Sequence, residues 1–321
     1  MTRPIRWGVL GTGNIASVFT EDLLTLPGHE VAAVGSRAPE TAETFANRYG
    51  IPRAHGSYED LAGDDGVDVV YITTPHHLHH PMGLLCLEAG RAVLVEKPFT
   101  VSAMEARELA GLARTRGLFT MEAMWMRFNP IVERIRTLVA DGAIGEVRAV
   151  YADFGIAPEY DPAGRLWAPE LAGGALLDLG VYPVALACLL LGAPERVRAL
   201  STPAATGVDA DTAILLGFPS GAVALLHASL LAHSPHAATI VGTRGRIIVD
   251  GPFVRPDSTR LFRDGAPPET WREELAGHGY TYQAEEVARC LRAGRTESDR
   301  WPLDLTVTVM ETLDAIRAAG S

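Results

Sequence analysis

Short apolar runs alternate with helically spaced apolar positions through the first third of the chain. Residues 5–10 form a continuous, largely apolar run, the pattern of a parallel strand covered on both faces. The run ends at Gly11-Thr12-Gly13-Asn14-Ile15-Ala16, after which Val18, Phe19, Asp22, Leu23 and Leu26 keep helical spacing up to the stop Pro27-Gly28. The same alternation predicts a strand over 30–35, a helix over 39–49 with Pro39 in its first turn, and a strand over 67–73. A helix over 78–89, a strand over 92–95 and a helix over 102–116 capped by Ser102 follow. Strict strand–helix alternation implies a doubly wound parallel sheet.

Beyond residue 122 the rhythm changes. A helical stretch over 130–140 precedes β-like runs at 147–154, 212–218, 222–230, 238–241 and 247–249. Pro219-Ser220-Gly221 and Gly242-Thr243-Arg244-Gly245 join neighbouring runs through short turns, so this second sheet is expected to be open and largely antiparallel within an α+β domain. Helical patterns at 282–293 and 305–319 close the chain. A length of 321 residues suits two domains, expected at 1–123 and 124–321. The most apolar segment, 179–191, is too short for a membrane span and contains Pro183; it reads as a buried helix.

Composition narrows the partners. With 28 Lys and Arg against 39 Asp and Glu, the net charge of −11 offers no basic stripe for nucleic acid. Cys86, Cys188 and Cys290 lie far apart without metal or disulfide spacing, and the N-terminus lacks a secretory pattern. The expectation is a cytoplasmic protein.

The glycine cluster is where chemistry first shows. A G-x-G-x-x-A that follows a strand and opens a helix is a dinucleotide signature. Gly11 allows the tight turn, Gly13 lets the backbone approach a pyrophosphate, and Ala16 permits close helix packing. The amides opening the helix, around Thr12, Asn14 and Ile15, face the anion. At the end of the second strand, where a carboxylate would accept bonds from an NAD ribose, the chain reads Gly35-Ser36-Arg37. Ser36 and Arg37 suit a 2′-phosphate, which favours NADP over NAD.

Thr73, Thr74, Pro75, His76 and His79 lie at the carboxyl end of a predicted parallel strand, where such sheets bind ligands. Four histidines in 76–80 invite a metal reading, but no carboxylate or cysteine stands at ligand spacing. Glu96-Lys97-Pro98 ends the next strand and brings a cation to the same crevice. In the second half, Asp178 and Tyr182 are four apart and would share a helix face within Gly173-Gly174-Ala175-Leu176-Leu177-Asp178-Leu179-Gly180-Val181-Tyr182.

Taken in order, the Gly11–Ala16 turn, Thr74-Pro75 with His79, Glu96-Lys97-Pro98 and the Gly173–Tyr182 segment resemble the Gfo/Idh/MocA oxidoreductases along essentially the whole chain. The resemblance implies an N-terminal Rossmann domain, a C-terminal domain with an open sheet, and hydride transfer between NAD(P) and a sugar, polyol or related alcohol. Most members carry histidine where this chain has Tyr182. That variant, together with residues 121–128 and 143–147, is similar to the branch of dimeric dihydrodiol dehydrogenases and NADP-dependent D-xylose 1-dehydrogenases. In that branch a lysine and a tyrosine form the catalytic pair, here Lys97 and Tyr182, with Asp178 able to orient either. His76 departs from the asparagine many members carry near the nicotinamide.

A free tyrosine, with a pKa of about 10, needs a nearby cation to act as a base near neutrality. Trp125, Phe154 and Arg127, with Tyr160 and Trp167 behind them, are candidates for the substrate pocket. The expected activity is NADP-linked oxidation of an aldopyranose at C1. The alternatives are oxidation of a trans-dihydrodiol or an inositol-like polyol, and a non-catalytic NADP sensor. A homodimer and a cis Lys97–Pro98 bond are also implied by the resemblance.

Overall fold

The computed structural model describes residues 3–320. The chain divides into two compact units, Met1–Trp125 with Leu275–Thr306, and Met126–Glu274 with Val307–Ser321. The first unit thus takes in a C-terminal segment that a single boundary near residue 123 does not anticipate.

Its six-stranded sheet is parallel throughout and comprises β1 (Ile5–Leu10), β2 (His29–Gly35), β3 (Ala54–His55), β4 (Val69–Ile72), β5 (Ala92–Glu96) and β6 (Thr120–Ala123), in the order β3-β2-β1-β4-β5-β6. This is the expected doubly wound architecture. The order reverses direction at β1 and β4, and the carboxyl ends of those strands form the crevice that accepts ligands in such sheets. Helices Asn14–Leu24, Pro39–Tyr49, His79–Glu88 and Ala103–Arg116 cover it. Ser102 caps the last by accepting from Glu105 N at 3.3 Å. Full burial of Val9, Leu10, Tyr71, Ile72, Val93 and Leu94 explains why these strands read as unbroken apolar runs. Phe19 of the first helix lies 4.0 Å, centroid to centroid, from Tyr71 of β4, which locks helix to sheet.

The second unit holds an eight-stranded sheet of β7 (Val147–Gly155), β8 (Arg196–Pro203), β9 (Asp209–Gly217), β10 (Val223–Ser229), β11 (Ala238–Gly242), β12 (Gly245–Val249), β13 (Ser258–Arg263) and β14 (Glu269–Arg272), ordered β14-β13-β12-β11-β7-β10-β9-β8. Every neighbouring pair is antiparallel except β10 with β7. One face is core: Val150, Leu226, Ile240 and Ile247 are buried. Strands β8 and β14, at the sheet's edges, and β13, next to β14, escape the sequence pattern because arginines and Pro203 replace apolar alternation there.

The apolar segment of the second half is a helical run, Pro169–Leu191, long and apolar enough to cross a membrane by length and composition, yet 83% of its most apolar window is buried in the fold. It is a core helix. It is not regular, however: Leu176–Gly180 is a π-helical turn that passes into the α-helix Val181–Leu191. Pro183 lacks the N–H that would bond back to the Leu179 carbonyl, which leaves a gap in the α-helical ladder where the wider turn ends.

Candidate functional site

In the first unit, Gly11 has φ +113, and a Cβ there would come within 2.5 Å of Thr73 Oγ1. Only glycine fits this turn. Gly13 precedes the helix Asn14–Leu24 and faces open space, with nothing within 4 Å of where a Cβ would stand. No side chain caps that helix and no acidic residue occupies its first turn. The amides at Asn14 and Ile15 therefore retain donors and a positive helix end suited to a phosphate.

Ser36 is buried just past β2 and shares a 2.7 Å hydrogen bond with Thr41. Arg37 beside it is exposed. Beyond β4, Thr73 Oγ1 donates to Leu10 O at 3.0 Å, tying the β4 end to the β1 end. Thr74 Oγ1 is buried without a hydrogen-bond partner among the described residues, a polar atom left for a ligand at the crevice.

His79 links the loops after β4 and β5, with Nε2 2.8 Å from Thr74 O and Nδ1 2.7 Å from Pro98 O. Burial pulls its pKa down to about 4, so near neutrality the ring is uncharged and has one N–H for the two carbonyls. His76 lies edge-on to it, 5.7 Å between ring centroids. His79 thus bridges the two loops, and among the described residues no group of three or more His, Cys, Asp or Glu side chains could hold a metal ion.

Two buried carboxylates fix the backbone on either side of the Lys97–Pro98 bond. Glu96 accepts from Tyr71 Oη at 2.5 Å and from Lys97 N at 3.0 Å. Glu122 accepts from Phe99 N at 3.1 Å, from Trp301 Nε1 at 3.0 Å and from Thr306 Oγ1 at 3.1 Å. The Lys97–Pro98 peptide is cis, as the family resemblance implies. Trp125 is buried and stacks on Tyr280, 4.6 Å apart and 20° between planes. Asp22 in turn holds the Tyr280 segment by accepting from His278 N at 2.7 Å and Tyr280 N at 2.8 Å.

In the second unit, Asp178 and Tyr182 are both buried. Arg165 donates to Asp178 Oδ1 at 3.0 Å, which gives the carboxylate a charged partner. The Tyr182 ring lies 5.6 Å from that of Phe154, which also faces His236 at 4.6 Å and Phe253 at 6.4 Å. Arg127 is buried and paired with Glu133 at 2.5 Å, and Glu133 also holds Arg136 at 2.7 Å. Trp167 donates to Glu159 O and packs in the apolar cluster with Leu179 and Leu230; Tyr160 meets its ring edge-on at 5.1 Å.

The structure thus gathers Thr73, Thr74, His79, Glu96 and Lys97 at adjacent strand ends, and Phe154, Asp178 and Tyr182 around one helix start. Sequence reasoning passed over Glu122, Tyr280, Arg165, His236 and Phe253. Glu122 had a signal, a carboxylate between the apolar Met121 and Ala123. The other four sit in irregular segments or edges where no periodicity marks them.

Comparison with known proteins gives a consistent result. Residues 5–123 match the oxidoreductase family with an NAD-binding Rossmann fold, and residues 132–248 match the GFO/IDH/MocA C-terminal domain. The chain is 39% identical over 326 aligned positions to trans-1,2-dihydrobenzene-1,2-diol dehydrogenase of Mus musculus, covering 98% of this chain and 96% of that one. Its Homo sapiens counterpart is 38% identical over the same shares. Among solved structures, aldose-aldose oxidoreductase from Caulobacter crescentus, complexed with glycerol, superposes with a TM-score of 0.91 at 26% identity over 99% of this chain and 98% of the other. A 3-ketoreductase from Actinomadura kijaniata, in complex with NADP and TDP-benzene, gives 0.88 at 29% identity over the same shares; variants of it with a lysine changed to alanine and a tyrosine to phenylalanine have also been solved. With both domains matched and full-length relatives near 40% identity, the chain belongs to the Gfo/Idh/MocA family of NAD(P)-dependent oxidoreductases.

Proposed function

We propose that this chain is an NADP-dependent dehydrogenase that oxidises a ring-borne secondary hydroxyl, with a cyclic trans-diol as the leading substrate class and an aldopyranose at C1 as the second. The observation that carries the reading is the aromatic cluster that Tyr182 joins through Phe154, whose ring also meets His236 and Phe253. Such faces suit a flat unsaturated ring or the CH face of a pyranose. Full-length similarity to dihydrobenzenediol dehydrogenases supports the diol first, reversing the order expected from sequence. The aldose oxidoreductase neighbour supports the sugar.

In this reading Tyr182 takes the hydroxyl proton during oxidation and returns it in the reverse direction. Lys97 supplies the cation that makes a phenol acidic enough for that work. Asp178 orients the tyrosine's surroundings, its own charge balanced by Arg165. NADP, when bound, would supply the hydride acceptor for this oxidation. The glycine turn, the uncapped helix start, Ser36, Arg37 and the orphaned Thr74 hydroxyl are the residues that would hold it. Oxidation of a dihydrodiol leads toward a catechol; oxidation of an aldopyranose gives a lactone.

The test is formation of reduced nicotinamide when the protein meets trans-dihydrobenzenediol, aldoses and inositols, each with NADP and NAD. NADP-linked turnover of the diol is expected; NADPH binding with no turnover across the panel would favour a sensor. Arg37→Ala is expected to weaken NADPH binding about 10- to 100-fold, the loss of a charge-assisted bond, while changing NADH binding little. Equal losses, measured by nucleotide fluorescence titration, would remove Arg37 from this role.

The reading includes a homodimer. The outer face of the second sheet exposes Tyr151 at 46%, Leu215 at 45% and Leu225 at 43%, with Leu200 at 76% nearby. The register sets Leu215 beside Leu225 and Leu225 beside Tyr151 in one row, an apolar patch of the kind that pairs between subunits. Tyr151→Arg with Leu225→Arg is expected to convert a dimer to a monomer in sedimentation velocity; an unchanged dimer would assign the contact elsewhere. The reading also includes a cytoplasmic location, in keeping with three buried free cysteines.

A further inference from the structure

The turn that opens the helix carrying Asp178 and Tyr182 is closed by a carboxylate from β9. Asp209 Oδ2 accepts from Leu176 N at 2.6 Å and from Thr212 Oγ1 at 3.4 Å. On its other side, Gly174 approaches so closely that a Cβ would lie 2.2 Å from Asp209 Oδ1, and Gly174 adopts φ +118. The carbonyl of that glycine then accepts from Asp178 N at 3.3 Å. A short chain of bonds therefore runs from Asp209 through the turn to Asp178, one helical turn before Tyr182. The flanking Val208 and Ala210 pack with Trp167, Ala175 and Leu179, so the carboxylate is held on an apolar bed rather than on a mobile loop.

A carboxylate at a helix N-terminus is favoured by the exposed amides there. The π-helical turn Leu176–Gly180 lacks a side-chain cap of its own, and Asp209 serves in that place from across the sheet. The arrangement also accounts for the paired glycines that open the motif: Gly174 leaves room for the carboxylate and the backbone of β9, and Gly173 for the Leu166 carbonyl, which a Cβ there would approach to 2.7 Å.

We propose that Asp209 is a positioning residue, whose carboxylate fixes the first turn of this helix and through it the direction of the Tyr182 phenol. The assignment rests on the functional reading above and adds a group that touches neither substrate nor cofactor. Burial pushes the Asp209 carboxyl up to about 6, against the pull of the Leu176 amide, so near neutrality it remains an anion facing that amide.

The experiment compares Asp209→Leu, which removes both oxygens at similar size, with Asp209→Asn, which keeps one acceptor, in the full chain. Hydrogen exchange by mass spectrometry reads the amides of 174–182, and steady-state kinetics use the panel member that the unsubstituted enzyme oxidises fastest. Asp209→Leu is expected to speed exchange in 174–182 and lower kcat about a hundredfold, with KM for NADP within about threefold and Asp209→Asn restoring kcat to within about fivefold. Gly174→Ala, which crowds the carboxylate from the other side, is expected to reproduce the kcat loss and stands in if Asp209→Leu fails to fold. Faster exchange with kcat unchanged, or an equal kcat loss in the asparagine variant, overturns the assignment. An unsubstituted enzyme that oxidises no panel member overturns the functional reading itself, and the role in that reaction with it, before any variant is compared.

Discussion

Tyr182→Phe is expected to lower kcat by about 10²- to 10⁴-fold, the usual contribution of a positioned acid/base group, while leaving NADPH binding unchanged. The substitution removes one oxygen and keeps the ring, so the contact with Phe154, 5.6 Å between centroids, survives. The loss should fall on kcat and kcat/KM alike, because the proton is transferred only in the transition state. Nucleotide binding is read separately by fluorescence titration. A variant that keeps a tenth or more of wild-type kcat would move the proton to another group. A variant that loses NADPH binding as well would show a disturbed fold instead of missing chemistry.

The second large effect concerns stability. Glu122→Ala is expected to destabilise the first unit by about 3–5 kcal/mol, because each buried donor left without its acceptor costs about 1–3 kcal/mol. It strands the Phe99 amide, the Trp301 indole N–H and the Thr306 hydroxyl, all of which end on this carboxylate. At roughly 2–4 °C per kcal/mol for a chain of this order, the thermal midpoint should fall by about 10 °C. Because Phe99 follows Lys97-Pro98, activity should fall even below the new midpoint. A midpoint within a degree or two of wild type would mean that the three donors find other partners.

Glu122 also gives stability a pH dependence. Burial, with the nearby Glu96 charge, pushes it from its ordinary 4.5 up to about 7, against its hydrogen-bond donors. A folded-state pKa above the unfolded one means the native protein binds the proton more tightly. The stabilisation from this group is then complete below about pH 4.5 and is lost as pH rises through 7. Glu122→Gln removes that titration, so the slope of thermal midpoint against pH between 5 and 7 should flatten in the variant. An identical slope in both proteins would assign it to other groups.

Much of the candidate site was legible because its chemistry sits at the ends of regular elements. The Gly11–Ala16 turn is readable because a buried strand and an amphipathic helix flank it, and the structure shows the strain that requires glycine there. Glu96-Lys97-Pro98 is readable for the same reason, as the end of β5. The carboxylate Asp209 lies 31 residues beyond Asp178 in sequence, and its bond to Leu176 exists only because β9 packs beside the helix start. Arg127 illustrates the opposite case: it stands in a suggestive motif, but folding buries it against Glu133.

Local pattern was enough to specify the two kinds of sheet, the nucleotide turn and the family, since these depend on periodicity, turn chemistry and residues close together in the chain. Long-range packing settled that Leu275–Thr306 returns to the first unit, that a π turn precedes Tyr182, and that Glu122, Asp209 and Arg165 support the groups around them. Those outcomes turn on which distant side chains must satisfy each buried donor and charge. A one-dimensional pattern records hydrophobicity and spacing, but it does not record the partner across a packed interior.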